Sequence, residues 1–96
     1  MLKLSEAILK GSKGKQQTKD TMADAMGAVC ALGAACYGMG FAPEMFAAES
    51  ARLRRCFPFL GTLKSKESLI TKIVHKNDDL DWSFRRIANW LRKLGY

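Results

Sequence analysis

The chain has 96 residues, 48% of them hydrophobic, and 16 Lys and Arg against 9 Asp and Glu give a formal net charge of +7. That length holds one domain with a modest core, and the hydrophobic fraction excludes a chain disordered throughout. The charge balance favours acidic partners, whether nucleic acid, an anionic membrane or an acidic protein surface.

The charge is unevenly placed. Residues 21–51 carry Asp24, Glu44 and Glu49 and no base, whereas residues 52–76 carry seven bases against Glu67. The basic excess therefore flanks a neutral centre. No long apolar run opens the chain, and the odd set Cys30, Cys36 and Cys56 reads as reduced thiols in a cytoplasm.

Taken in chain order, the pattern predicts an all-α fold, a compact single domain of about five helices spanning residues 1–96. The first helix runs from about Ser5, as N-cap, to Lys10, and Gly11 to Lys19 reads as an exposed linker, so that residues 1–20 form a partly flexible basic segment. The second, from about Thr21 to Met39, is a central helix of small residues. Ala23, Gly27, Ala31 and Ala35 recur every four positions and form a stripe for close helix packing, either within the chain or between the subunits of a homodimer. The third helix starts at Pro43 and runs to about Arg55, and Phe57 to Gly61 lays aromatic surface over the core. The fourth, Lys66 to Lys76, turns Leu69, Ile70, Ile73 and Val74 inward. In the fifth, Ser83 is the N-cap, Trp82 staples against Ile87, Phe84, Ile87, Ala88, Leu91 and Leu94 share a face, and Gly95 caps the end.

No residue set calls for catalysis or a cofactor. Cys30 and Cys36 stand six apart with His75 distant, whereas zinc sites use tight ligand pairs, so no metal is expected. A Cys–His75 nucleophile pair has only one histidine to draw on, and His75 falls on the polar side of its helix. Gly11-Ser-Lys-Gly-Lys lacks the glycine spacing and the preceding strand of a phosphate loop. The uncharged stretch 25–43 is long enough to span a bilayer, but small residues dominate it and Gly38, Gly40 and Pro43 interrupt its far end, so a membrane role is the weakest reading.

The remaining signal is basic. Arg52, Arg54, Arg55, Lys64, Lys66, Lys72 and Lys76, extended by Arg85, Arg86, Arg92 and Lys93, can form one face for binding. Phe57, Phe59 and Trp82 lie near enough in sequence to stack on bases. Asp78, Asp79 and Asp81 interrupt this run.

Three separated pieces carry a resemblance. Leu4-Ser-Glu-Ala-Ile, Cys30-Ala-Leu-Gly-Ala-Ala, and Ile73 with Asn77-Asp78 leading into Trp82-Ser-Phe and Ile87-Ala-Asn-Trp-Leu resemble a group of small bacteriophage and prophage proteins of no established activity. The resemblance implies an all-helical fold and a viral or prophage origin, and it carries no functional residue. It makes the Cys30 segment a close-packing face and Asn77-Asp78 a polar junction between the fourth and fifth helices. The expectation is a non-enzymatic accessory protein in the host cytoplasm that binds a host or viral protein with an acidic surface. The alternative is DNA or RNA binding through the Arg52–Lys76 face.

Overall fold

A computed structural model describes all residues, 1–96. Its helices are α1 (Leu4–Ser12), α2 (Ala31–Gly38), α3 (Ala51–Cys56), α4 (Leu69–Asp78) and α5 (Phe84–Lys93), with one 3-10 turn, Pro58–Leu60, and no strand. The all-α expectation therefore holds. The five helices and their connections enclose one core in a globule with a radius of gyration of 11.5 Å.

Helix α1 begins one residue before the expected cap. Lys3 holds the extended N-cap conformation, and its N–H donates to the Glu6 carboxylate at 2.8 Å. Ser5 lies inside the helix and is buried, and its N–H donates to the Tyr96 carbonyl at 3.1 Å. The helix also runs on through Gly11 and Ser12, where a linker was expected. The reason is packing. A methyl at Gly11 would overlap the Ala34 carbonyl of α2, and a methyl at Gly38 would overlap the Ala7 carbonyl of α1. Ala7 and Gly11 thus lie on Ala34 and Gly38, with the two backbones in close approach. Because Leu4, Ala7 and Ile8 are fully buried, α1 is a core helix rather than a flexible arm.

Helix α2 corrects the sequence reading most. It has eight residues, and the stripe from Ala23 to Ala35 does not lie on one helix. Residues 21–30 form turns and extended chain, with isolated bridges pairing Val29 to Gln17 and to Ala23. Asp24 explains the departure: its carboxylate accepts from the N–H groups of Met26 at 2.9 Å and Ala28 at 3.0 Å, a local bond that competes with the helix. Gly27 then takes φ +83° at the surface, a conformation glycine adopts without cost. The helix proper starts after Cys30, whose Sγ accepts from the Gly33 N–H at 3.4 Å. Ala31 through Cys36 and Gly38 are buried, so the small-residue surface of α2 is used inside the chain. No helix is long and apolar enough to cross a membrane.

Helix α3 is likewise shorter than expected. Ser50, not Pro43, starts it, its hydroxyl accepting from the Leu53 N–H at 3.1 Å. Residues 43–50 are irregular and are pinned to the 21–23 strip by Met22 N–H to the Ala47 carbonyl and Phe46 N–H to the Ala23 carbonyl, both at 2.7 Å. Helix α4 starts after Ser68, whose hydroxyl accepts from the Thr71 N–H at 3.3 Å. Helix α5 follows its sequence signals closely. The Ser83 hydroxyl accepts from the Arg86 N–H at 3.1 Å, Ile87, Ala88 and Leu91 are buried, and Gly95 closes the end at φ +96°. Leu94 is instead 53% exposed.

Asn77 joins these parts. It lies within α4 and is 2% exposed. Its Oδ1 accepts from Gln17 Nε2 at 2.8 Å and from the Ala31 N–H at 3.1 Å. Its Nδ2 donates to the Thr18 carbonyl at 2.9 Å and to Asp78 Oδ1 at 2.8 Å. The polar junction thus ties α4 to the start of α2 and to residues 17–18. Only through Gln17, which also donates to the Trp82 carbonyl at 2.7 Å, does it reach the approach to α5.

Candidate interaction face on α4 and α5

Helices α4 and α5 hold two tryptophans and a group of cations at fixed distances. Trp82 precedes the Ser83 cap, and Trp90 lies two turns along α5. The rings meet edge-on with centroids 6.4 Å apart. Lys76 Nζ, from the last turn of α4, stands 4.4 Å from the Trp90 centroid and 4.7 Å from that of Trp82. The Arg86 guanidinium lies 4.1 Å from the Trp82 centroid. Each such contact contributes about 0.5–1 kcal/mol at an exposed site, which biases the long side chain toward the ring against a rotamer entropy of about 2 kcal/mol. Arg85, Asn89 and Lys93 complete an open groove along α5, and Lys66, Lys72 and His75 line a depression that adjoins it through Lys76.

The cations are free of carboxylates. The chain has two ion pairs, Lys19–Asp81 and His75–Asp79, and neither takes an arginine or a lysine of this face. Of the acidic residues that interrupt the basic run in sequence, Asp78 is bonded to Asn77 and Asp81 to Lys19, while Asp79 lines the same depression as Lys76 and is held there by His75. The face is therefore positive and preorganised, with aromatic walls.

The expected basic-face residues line different grooves rather than one. Lys66, Lys72, Lys76, Arg85 and Arg86 gather on α4 and α5. Arg52, Arg54 and Arg55 line a separate groove with Phe41, Glu44 and Glu49, where Arg52 lies 4.4 Å from the Phe41 centroid. Lys64 is exposed on the turn before Ser65 and lines neither groove. The aromatic residues expected to stack on bases are already engaged. Phe57 is 2% exposed, Phe59 stacks on Tyr96 at 4.4 Å, and Trp82 carries Arg86 and Lys76. Trp90 and Asn89 were not singled out by the sequence reading. The signal for Trp90 was present in the four-residue spacing Trp82, Arg86, Trp90, which brings one end of α5 onto a common face.

The nucleophile candidates have no activating partner. Burial pushes the Cys30 thiol up to about 11 and that of Cys36 up to about 12, so both are neutral thiols at neutral pH. His75 Nδ1 lies on the surface, 2.8 Å from Asp79. No group of three or more His, Cys, Asp or Glu is placed to hold a metal ion. Comparison with protein-family models, with curated proteins and with solved structures found no match.

Proposed function

We propose that this chain is a non-catalytic binding protein that docks an acidic segment of a protein partner on the α4–α5 face. The observation that carries the reading is Lys76 set against Trp82 and Trp90, with Arg86 on Trp82 and no carboxylate of the chain paired to either cation. Aromatic and arginine side chains held in place before binding are the residue types that dominate protein interfaces, because little conformational entropy is lost when a partner arrives. A carboxylate reaching Arg86 or Lys76 meets a cation that no carboxylate of the chain already pairs and a wall that sheds water. A host or viral protein fits this description, in keeping with the phage-type accessory role implied by the resemblance. The same cations can neutralise phosphates, but a base that stacks on Trp82 must first displace Arg86 or Lys76, so the arrangement favours a protein.

Binding of a labelled Glu/Leu peptide, its Lys/Leu counterpart and a DNA duplex, each over a salt series, tests the proposal. The Glu/Leu peptide is expected to bind, and Arg86→Glu or Lys76→Glu to weaken it at least tenfold. Tighter binding of the duplex, with affinity falling steeply and linearly in log salt, would replace the protein partner by nucleic acid.

A further inference from the structure

The groove beside α3 and the turn that leads into it are left incomplete by the chain itself. Glu44 and Glu49 line that groove together with Arg52, Arg54 and Arg55, yet no carboxylate of the pair comes within ion-pair distance of a guanidinium. Glu49 turns instead to the Leu63 N–H, at 3.0 Å. Arg54 Nε is buried with no hydrogen-bond partner. Both signs of charge therefore share one concavity without meeting.

Immediately after Glu44 the chain projects two large apolar side chains into solvent. Met45 is 62% and Phe46 67% exposed. Phe46 has φ +61°, the left-handed region that a bulky residue rarely takes, and its N–H bond to Ala23 holds it there. Packing within the chain does not account for a strained phenylalanine that is mostly in water.

We infer that this surface is an interface between two copies of the chain, related by a two-fold axis. A two-fold contact requires a self-complementary patch, in which what one copy projects the other receives, and receives in return. Here the projection is Phe46, and the receiving groove presents the Arg52 guanidinium laid over Phe41, on which an entering ring can stack, with arginines of one copy facing Glu44 of the other. The unpaired charges acquire partners across the axis, and Phe46 acquires a pocket. The surface is distinct from the α4–α5 face, so acidic-segment binding and pairing of copies are separate properties.

The test is sedimentation equilibrium of the full chain and of three variants. Phe46→Asn suits the left-handed conformation and keeps the turn. Glu44→Arg and the double variant Arg52→Glu, Arg55→Glu each place like charges across the axis. The wild type is expected to reach twice its 10.7 kDa mass at micromolar to submillimolar concentration. Each variant is expected to weaken self-association at least tenfold with its helical circular dichroism intact. An equimolar mixture of the Glu44→Arg and Arg52→Glu, Arg55→Glu proteins is expected to form a heterodimer, since both contacts across the axis are then attractive. A wild type that stays monomeric up to millimolar concentration overturns the inference, as does a dimer that none of the variants weakens or a mixture that fails to pair.

Discussion

Replacing Asn77 by Leu tests how much of the fold hangs on one buried amide. Leucine has a similar volume and excludes water, but it leaves the Ala31 N–H without its acceptor at 3.1 Å and the Thr18 carbonyl without its donor at 2.9 Å. A buried backbone group left unsatisfied costs about 1–3 kcal/mol; the Ala31 N–H is buried and the Thr18 carbonyl only part-buried, so the pair costs about 1–4 kcal/mol. A chain of this length has a total stability of roughly 5–14 kcal/mol. At about 4–8 °C per kcal/mol, the thermal midpoint should fall by roughly 4–32 °C. Gln17→Ala is the control. Gln17 is exposed and water can take over its bonds to Asn77 and Trp82, so its loss should be under about 1 kcal/mol. Urea unfolding followed by circular dichroism measures both. A loss below about 1 kcal/mol for Asn77→Leu, or a loss for Gln17→Ala equal to it, would refute the argument that satisfied buried backbone groups fix α4 against α2.

Three further outcomes follow from the same geometry. Gly38→Ala gains about 1 kcal/mol of helix propensity but forces a methyl into the Ala7 carbonyl, and overpacking of about 1–3 kcal/mol should leave it less stable than wild type in urea. Phe46→Asn should raise stability by up to about 1 kcal/mol, measured on a dilute sample, because asparagine tolerates the left-handed backbone better than phenylalanine does. The buried thiols of Cys30 and Cys36 stay protonated in the fold up to about 11 and about 12, while the unfolded chain begins to lose those protons near 9.0. The unfolded state then binds fewer protons, so stability should fall as pH rises above about 9, by several kcal/mol at pH 11. Cys30→Ala should flatten that slope in urea titrations, and a thiol reagent at pH 8 should modify half-buried Cys56 well before the other two.

The legible parts of the fold were those in which a cap and a hydrophobic period agree. Ser83 before Phe84, the inward run Ile87, Ala88 and Leu91, and Gly95 after the last turn mark α5 from both ends. The second helix failed because a four-residue recurrence of Ala and Gly is compatible with a helix but does not require one. Asp24 bonds its own backbone two and four residues on, and a single thiol cap at Cys30 moves the true start ten residues downstream of Thr21. Close packing through small residues occurs at Ala7, Gly11, Ala34 and Gly38 rather than along the expected stripe Ala23, Gly27, Ala31 and Ala35, across two helices whose contact no local pattern reveals. The basic face divided for a similar reason. Residues 52–76 are continuous in sequence, but α3 and α4 deliver their cations to different grooves, and Trp90 rather than the α3 arginines joins Lys76.

Tryptophan emission tests the central claim most directly, because the chain's 2 tryptophans, Trp82 and Trp90, both belong to the α4–α5 face. Titration with the Glu/Leu peptide should shift the emission along the same binding curve that an independent label on the peptide reports, and Lys76→Glu should abolish both signals together. A peptide that binds while the emission of both tryptophans stays unchanged would contradict the account.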